Sequence, residues 1–167
     1  MKGGSGKTTL ATCLAGHWSK IGKRVSYIDG DPSQTAWRLS RLGHRFHEVE
    51  FETADQNTLG AKLKAHKKAE TDRLLIDTPG FASPLIEIAI QNSDLMIFLG
   101  TRLSTQLIGG KTSSFAPKSK KVLVEIDKEE FTSQRLPKID LKINCDVSKF
   151  IKQLKNNLVF ELTNEVI

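Results

Sequence analysis

Short apolar runs alternate along the chain with longer segments whose apolar residues recur at helical spacing. Three runs end in a polar or glycine-containing turn: RVSYID (24–29), RLLID (73–77) and DLMIFLG (94–100). Such continuous runs are typical of parallel strands buried on both faces. Three further strand candidates are the alternating FHEVEF (46–51), KKVLVEI (120–126) and IDLKINC (139–145).

Helices are predicted between these strands, over residues 7–20, 34–42, 56–69 and 84–91. The last of these begins with Pro84, and proline is favourable in the first turn of a helix. Strands alternating with helices predict an α/β fold with a mainly parallel central sheet flanked by helices in three layers. The 167 residues contain no linker or repeat, so we expect a single domain, 1–167.

Residues 147–162 form an amphipathic segment. Its apolar stripe is Val147, Phe150, Ile151, Leu154, Leu158 and Leu162, opposite Lys149, Lys152 and Lys155. The pattern favours a terminal helix packed on the sheet, and a helix lying on a membrane surface is the alternative. The final residues, LTNEVI, are neither basic nor strongly amphipathic, so a membrane is not an expected partner.

The charge balance favours a polyanionic partner, because 25 Lys and Arg residues against 19 Asp and Glu give a net charge of +6. No acidic residue lies between 95 and 124. The cations there are Arg102, Lys111, Lys118, Lys120 and Lys121. This region is either a solvated basic face or a DNA-facing patch. No long apolar run or signal peptide is present, and Cys13 and Cys145 lack metal-ligand spacing, so a cytoplasmic protein with reduced thiols is expected.

The first ten residues, MKGGSGKTTL, contain a phosphate-binding loop. Glycines let the backbone adopt conformations closed to other residues and leave room for phosphate oxygens beside the amides. The helix that starts near Lys7 points its N-terminal amides at the same anion. Lys7 is expected to reach the β- and γ-phosphates, and the Thr8 hydroxyl to ligate Mg²⁺. The predicted nucleotide-binding residues are Gly3, Gly4, Ser5, Gly6, Lys7, Thr8 and Thr9.

The string KGGSGKTT (2–9) adds a second lysine, Lys2, to this loop. It resembles the deviant Walker A motif of the ParA/MinD family of ATPases, and the chain looks most like the ParA-type plasmid and chromosome partition ATPases. In that family the early lysine crosses a sandwich dimer to contact the partner's nucleotide. The resemblance therefore implies ATP and Mg²⁺ as cofactors, an ATP-dependent homodimer, and catalytic roles for Lys2 and Lys7.

Two carboxylate segments support the resemblance. YIDGDPSQT (27–35) places Asp29 and Asp31 at the carboxyl end of a strand, where ligands bind in open α/β sheets. It resembles the family's DxDPQ motif, with Ser33 in place of glutamine. By that alignment Asp31 is a catalytic residue that orients or activates water, and Asp29 lies close to the metal. RLLIDTPG (73–80) looks like a Walker B segment whose Asp77 holds the Mg²⁺ shell. The implied metal set is Thr8, Asp29 and Asp77.

In P-loop folds a central strand precedes the loop, whereas here the loop opens the sequence. Without that strand, two neighbouring strands would lose their ladder partners. We therefore expect a fold that lacks the usual strand before the P-loop, because the sequence is truncated or mis-started. The alternative is that another segment fills the gap. The resemblance covers residues 1–100, and residues 111–167 match the family poorly.

The resemblance implies an ATP-dependent DNA-partitioning ATPase that is cytoplasmic and nucleoid-associated. ATP-bound dimers would bind DNA without sequence preference, and a centromere-binding ParB-type partner protein would stimulate hydrolysis and release. Two alternatives stay open. One is a MinD-like positioning ATPase that associates with a membrane, and the other is a truncated, non-catalytic remnant that binds nucleotide weakly or not at all.

Overall fold

A computed structural model describes residues 4–42, 46, 48–103, 108, 112–133 and 136–164, without the side chains of 158–164. The six strands are β1 (Val25–Asp29), β2 (Val49–Thr53), β3 (Arg73–Asp77), β4 (Leu95–Leu99), β5 (Lys120–Glu125) and β6 (Leu141–Asn144). The α-helices are α1 (Lys7–Lys20), α2 (Thr35–Arg41), α3 (Leu59–Lys68), α4 (Pro84–Gln91) and α5 (Val147–Asn164). Two short 3-10 helices, Thr112–Ser114 and Lys128–Phe131, flank β5.

The strands form two parallel three-stranded sheets, in the orders β2-β1-β3 and β4-β5-β6. In the first sheet Val25 pairs with Val49 on one side and with Arg73 on the other, and Asp29 pairs with Thr53 and Asp77. In the second, Leu95 pairs with Lys120, and Val122 pairs with Leu141. The predicted α/β architecture of parallel strands flanked by helices is confirmed, and the sheet is divided between β3 and β4.

The strand and helix predictions agree closely with the structure. The bounds of α1, α4 and β3 match the predicted 7–20, 84–91 and 73–77. The start of the second strand differs from the prediction: β2 begins at Val49 and not at Phe46. Pairing with β1 sets this register, and Phe46 instead packs edge-on against Phe51, with ring centroids 5.3 Å apart.

The core lies on both faces of the sheets. In the first sheet, Ala15 of α1 packs with Val25 and Tyr27, and on the opposite face Ile28 packs with Leu59 and Leu85. In the second sheet, Leu99 and Val124 pack with Leu10 of α1. Helix α1 therefore contacts both sheets and links them at the end where the glycine loop lies.

Helix α5 packs on the second sheet, as the amphipathic pattern favours. Val147, Phe150, Ile151 and Leu154 contact the cluster of Leu10, Leu99 and Val124, whereas Lys149, Lys152 and Lys155 are exposed. Leu158 and Leu162 fall outside the described side chains. Among the described residues, none of the helices combines the length and apolar character needed to span a bilayer.

Candidate phosphate-binding site

The glycine loop leads into α1 beside the carboxyl ends of the strands. Gly4 and Gly6 have φ of 95° and 82°, a left-handed region that favours glycine. Gly6 is the N-cap residue of α1, and its carbonyl accepts a hydrogen bond from the Leu10 amide at 2.9 Å. The described part of the loop therefore has the backbone that the sequence predicts for holding an anion at a helix N-terminus. Lys2 and Gly3, both predicted site residues, lie outside the described residues.

The Lys7 ammonium lies within the loop. Its Nζ donates to Ser5 Oγ at 3.5 Å, a long hydrogen bond. A Cβ added to Gly80, in the turn after β3, would lie 3.6 Å from the same Nζ. The turn after β3 and the loop lysine thus face one another, as expected if both contact a terminal phosphate. Thr9, the last predicted loop residue, is exposed.

Asp77 ends β3 and joins three elements of the site. Its Oδ2 accepts hydrogen bonds from Thr8 Oγ1 at 2.6 Å and from Tyr27 OH at 3.0 Å. Burial raises the pKa of the Asp77 carboxyl above its ordinary value, and the Asp29 charge adds to this, whereas the two hydroxyl donors lower it. Burial and the Asp77 carboxylate also raise the pKa of Tyr27 far above its ordinary range, so Tyr27 stays a hydrogen-bond donor.

Asp29 and Asp31 shape the turn that follows β1. Asp29 is 1% exposed, and its two oxygens accept hydrogen bonds from the amides of Asp31 at 3.1 Å and Trp37 at 3.0 Å. Asp31 is half-buried and accepts the Ser33 amide at 2.9 Å. Asp29 therefore fixes the turn in which Asp31 stands, and it does so at the same sheet edge as Asp77, its register partner.

The residues present fit a magnesium ion held mainly by phosphates. Within the described residues, no cluster of three His, Cys, Asp or Glu side chains forms a metal-ligand set. Mg²⁺, however, is usually bound through one or two carboxylates together with substrate phosphates and water. The buried Asp77 carboxylate beside the Thr8 hydroxyl supplies that pair of oxygens, and burial without a cation disfavours its charged form. Thr8 and Asp77 are thus the residues suited to hold the ion.

Two features of the site were not predicted from the sequence. Tyr27 is fully buried and bonds to Asp77, and its position in the middle of an apolar run gave no signal of this contact. Helix α5 also reaches the glycine loop. A Cβ added to Gly6 would lie 2.8 Å from Ile151 Cδ1 and 3.4 Å from Val147 Cγ1, so a larger residue at Gly6 would collide with α5.

The cations of the basic region between residues 95 and 124 differ in exposure and in their bonding partners. Lys121 is 3% exposed, and its Nζ donates to the carbonyl oxygens of Ala116 and Ser119, each at 2.7 Å. Arg102 is exposed and forms an ion pair with Glu130 at 2.9 Å. Lys118 and Lys120 are exposed, whereas Lys111 lies outside the described residues. Lys121 is therefore part of the interior and is not available to a polyanion.

A glycine loop that opens a helix at the carboxyl ends of parallel strands, beside a buried strand-end aspartate, defines a P-loop nucleotide-binding fold. Solved structures agree with this class. The MinD cell division protein of Aquifex aeolicus is similar with a TM-score of 0.52 and 21% identity, over 90% of this chain and 75% of that one. A nucleotide-binding protein in complex with ADP from Archaeoglobus fulgidus is similar with a TM-score of 0.50 and 18% identity, over 94% and 83%. The MinD-like P-loop fold is thus confirmed.

Curated relatives match the chain over part of their own length. Protein RecA of Chlamydia abortus (strain DSM 27085 / S26/3) is 24% identical over 97% of this chain and 50% of the relative. Protein virC1 of Rhizobium radiobacter is 32% identical over 101 residues, which are 58% of this chain and 44% of the relative. The chain therefore spans about half the length of the curated relatives it matches.

One family model matches the second part of the chain. It is described as thiamine pyrophosphate enzyme, central domain, and it covers residues 68–154. This is about half of the chain, and over these residues the chain belongs to that family. The matched range runs from the end of α3 into α5 and includes Asp77. The glycine loop, Asp29 and Asp31 precede it, so most of the phosphate-binding site lies outside the family match.

Proposed function

We propose that the chain binds ATP with Mg²⁺ and hydrolyses it. The observation that carries the proposal is the 2.6 Å hydrogen bond between Thr8 and Asp77, formed where the glycine loop opens α1. A loop hydroxyl and a strand-end carboxylate at one point are the oxygen pair that a metal-bound nucleotide requires. The positive-φ glycines and Lys7 then supply an anion site next to that pair.

The residues have distinct roles in this mechanism. The amides of the loop from Gly4 to Thr8 bind phosphate oxygens, and Lys7 neutralises charge on the β- and γ-phosphates. Thr8 and Asp77 would hold Mg²⁺, and Asp29 pairs in register with Asp77 at the same sheet edge. Bound Mg²⁺ supplies charge stabilisation to the transferred phosphoryl group. Asp31 orients the attacking water, and Asp29 holds the Asp31 backbone through its amide.

ATP binding by the chain and by Lys7→Ala tests this proposal. We expect Lys7→Ala to weaken binding by about 100-fold, because a charge-assisted contact to phosphate is lost. Lys20→Ala is the matched control, since Lys20 is an exposed lysine at the other end of the same helix. Equal ATP affinity in all three proteins would contradict the proposal.

Thiamine pyrophosphate is the informative competing ligand, because the family description names it. We expect ATP to bind more tightly, since Lys7 and the loop are placed for a terminal phosphate. Displacement of ATP by an equal concentration of thiamine pyrophosphate would instead assign the site to that diphosphate.

Thr8→Ala should remove the dependence of ATP affinity on Mg²⁺ while leaving weak metal-free binding, which separates metal binding from phosphate binding.

We propose further that ATP drives homodimerisation, with Lys2 of each chain contacting the partner's nucleotide, and that the dimer binds DNA without sequence preference. This ParA-type role rests on the motif at residues 2–9 and the net charge of +6. A ParB-type protein would stimulate hydrolysis, and the location would be cytoplasmic and nucleoid-associated. ATP-dependent DNA affinity should fall by about 10³–10⁵ between 50 and 200 mM salt if several phosphates are contacted. DNA affinity that does not change with salt would refute this role.

A MinD-like membrane role is the alternative, and likeness of fold to the MinD cell division protein is compatible with it. Co-sedimentation with anionic liposomes in the presence of ATP separates the two roles. The apolar face of α5 is covered by the second sheet over residues 147–154, so we expect the DNA assay and not the liposome assay to respond to ATP. ATP hydrolysis that is equal in the chain and in Lys7→Ala would favour the third possibility, a non-catalytic remnant.

A further inference from the structure

Tyr27 is a buried tyrosine whose ring and hydroxyl have separate contacts. It lies in the middle of β1, the central strand of the first sheet, and is 0% exposed. Its ring stacks on Phe51, its register partner on β2, with centroids 4.8 Å apart and an interplanar angle of 22°. Its hydroxyl donates to Asp77 Oδ2 on the other neighbouring strand, β3, at 3.0 Å. The ring is therefore held by β2 while the hydroxyl reaches β3.

The hydroxyl is not needed for packing at this position. All five residues of β1 are buried, and the core cluster around Tyr27 contains apolar side chains such as Ala15, Val25 and Val49. A phenylalanine would supply the same ring, whereas a buried hydroxyl costs free energy unless it is hydrogen-bonded. The bond to Asp77 offsets that cost, so the tyrosine is explained by its contact with the site and not by the core.

The Asp77 carboxyl receives two donors on a single oxygen. Thr8 Oγ1 of α1 lies 2.6 Å from Oδ2, and Tyr27 OH lies 3.0 Å from the same atom. Rotation of an aspartate carboxyl about its last torsion is broad, so one donor alone would leave its plane loosely defined. Two donors from different elements fix that plane. Within the described part of the chain no donor is paired with the second oxygen, Oδ1, which is thus the oxygen available to a cation.

Tyr27 differs from Thr8 because it can hold the carboxyl without touching the ion. The Thr8 hydroxyl is itself a proposed ligand, so its orientation must adapt when Mg²⁺ binds. The Tyr27 hydroxyl belongs to the sheet, and its stacked ring fixes it before the metal arrives. Outer partners of this kind orient metal ligands in advance, and their loss typically weakens metal binding by about 10–100-fold.

We propose that Tyr27 is a positioning residue for the metal-binding carboxyl: its hydroxyl holds Asp77 in the orientation that ligates Mg²⁺ beside the bound nucleotide. The inference rests on the proposed function, because Mg²⁺ and ATP must occupy the site for this orientation to matter. Removing the hydroxyl should weaken metal binding. It should leave the phosphate contacts of the site unchanged, since the glycine loop and Lys7 supply those contacts and Tyr27 does not.

The Mg²⁺ dependence of ATP affinity tests the proposal by binding and not by turnover. Calorimetry measures ATP affinity over a range of Mg²⁺ concentrations, and in EDTA alone, for the parent chain and for Tyr27→Phe. We expect the Mg²⁺ concentration at half-maximal ATP affinity to rise about tenfold in Tyr27→Phe, while metal-free ATP affinity stays within about twofold. Ser26→Ala is the matched control, because the adjacent Ser26 is 3% exposed and donates its hydroxyl to Glu50 at 3.1 Å. Its Mg²⁺ dependence should equal that of the parent chain.

The outcomes separate this inference from the proposed function. Failure of the parent chain to bind ATP, or binding without any dependence on Mg²⁺, would refute the proposed site and this inference together. Mg²⁺-dependent ATP binding that is the same in Tyr27→Phe would refute the positioning role alone. An equal loss of affinity with and without Mg²⁺ in Tyr27→Phe would also overturn that role, because a residue that only supports the fold would weaken both.

A spectroscopic measurement keeps the test valid if Tyr27→Phe does not fold. Tyr27 is the single tyrosine of the sequence, so fluorotyrosine labels this ring alone and keeps its hydroxyl. We expect the fluorine resonance to shift when Mg²⁺ is added to the ATP complex, with the same half-saturation as the ATP affinity, because the carboxyl that accepts the hydroxyl then also binds the cation. A resonance that does not respond to Mg²⁺ would contradict the proposal.

Discussion

Both sheets consist of three parallel strands, yet their carboxyl ends use polar side chains differently. At the end of the first sheet, Asp77 accepts hydroxyl donors from β1 and α1, so side chains of three elements meet at one oxygen. At the end of the second sheet, Glu125 accepts the amides of Ile126 and Asp127, its own neighbours in the chain. Asn144 likewise donates to the carbonyls of Glu125 and Ile126.

The difference shows which sheet is suited to chemistry. Glu125 and Asn144 bond to backbone groups of the turn after β5, so their side chains stabilise that turn. Asp77 is instead buried, and its carboxyl is held by the side-chain hydroxyls of residues distant in sequence. A metal ion or a phosphate could displace these hydroxyls without breaking any backbone hydrogen bond. The second sheet contributes packing, because Leu99 and Val124 contact Leu10 of α1 in a cluster that α5 also joins.

The largest expected effect contrasts the central strand of the first sheet with the edge strand of the second. Ile28 of β1 is 0% exposed, whereas Ile97 of β4, at the edge of the second sheet, is only partly buried. We expect Ile28→Ala to lower the free energy of unfolding by about 4 kcal/mol, and Ile97→Ala by about 1.5 kcal/mol, since less packing is lost. Urea unfolding of both variants measures this. Equal losses would mean that β4 is packed as tightly as β1.

The sequence predicted the first sheet and its motifs well, because each element there carries a local signal. The apolar runs of β1 and β3 end in aspartates, and the glycines precede a helical period, so strand ends and the loop were located by residue. Among the described strands, β3 pairs with β1 alone and β4 pairs with β5 alone, so the division of the sheet falls between two well-predicted strands.

Contacts between residues that are distant in sequence could not be predicted from local sequence patterns. A tyrosine within an apolar run predicts burial and not a bond to an aspartate 50 positions later. A lysine in a basic region is expected to be exposed. Only the fold shows that the Lys121 ammonium points inward and donates to two carbonyl oxygens. The start of β2 was wrong for the same reason, since pairing with β1 and not alternation sets its register.

Lys121 and Lys120 provide a sharper contrast within the second sheet, because they are adjacent on β5 and point to opposite faces. Lys121→Met keeps the length of the side chain but removes two charge-assisted hydrogen bonds, so we expect a loss of about 2 kcal/mol in the free energy of unfolding. Lys120→Met, at an exposed position, should change it by less than about 0.5 kcal/mol.

The same pair tests the DNA hypothesis. If exposed lysines contact DNA phosphates, Lys120→Met should reduce the salt dependence of DNA affinity, by about one unit in the slope of the double-logarithmic plot. A folded Lys121→Met protein should retain the slope of the parent chain. A reduced slope in Lys121→Met alone would contradict the interior position of this lysine.

Tyr27→Phe tests the junction that sets the first sheet apart. The substitution keeps the ring, which stacks on Phe51 with centroids 4.8 Å apart, and removes the hydroxyl that bonds to Asp77. We expect a loss of about 1 kcal/mol in the free energy of unfolding, because one buried donor to the Asp77 carboxyl disappears while Thr8 still bonds. Thermal unfolding at neutral pH measures the change. An unchanged protein would show that the Tyr27 hydroxyl does not contribute to the stability of the junction.

The smallest expected effect concerns β2, the outer edge of the first sheet, where Glu52 forms ion pairs with Lys62 and His66 of α3. Burial raises the pKa of the Glu52 carboxyl, but hydrogen bonds from Lys62 and His66 outweigh it and hold that pKa below its ordinary value. The folded state therefore gains stability above the unfolded pKa of about 4.5, and the gain is lost as pH falls from there through the folded pKa.

Glu52→Gln should thus cost about 0.5–1 kcal/mol at pH 7, a value kept small because the pair is partly solvated. The difference from the parent chain should shrink as pH falls from about 4.5 through the lowered folded pKa, because Glu52 becomes protonated first in the unfolded state and then in the folded state. Glu50→Gln is the matched control, because Glu50 lies on the same strand, is exposed and accepts the Ser26 hydroxyl at 3.1 Å. Urea unfolding at pH 7 and pH 3.5 measures both variants. A Glu52→Gln penalty that is the same at the two pH values would show that the ion pairs do not stabilise the edge of the first sheet.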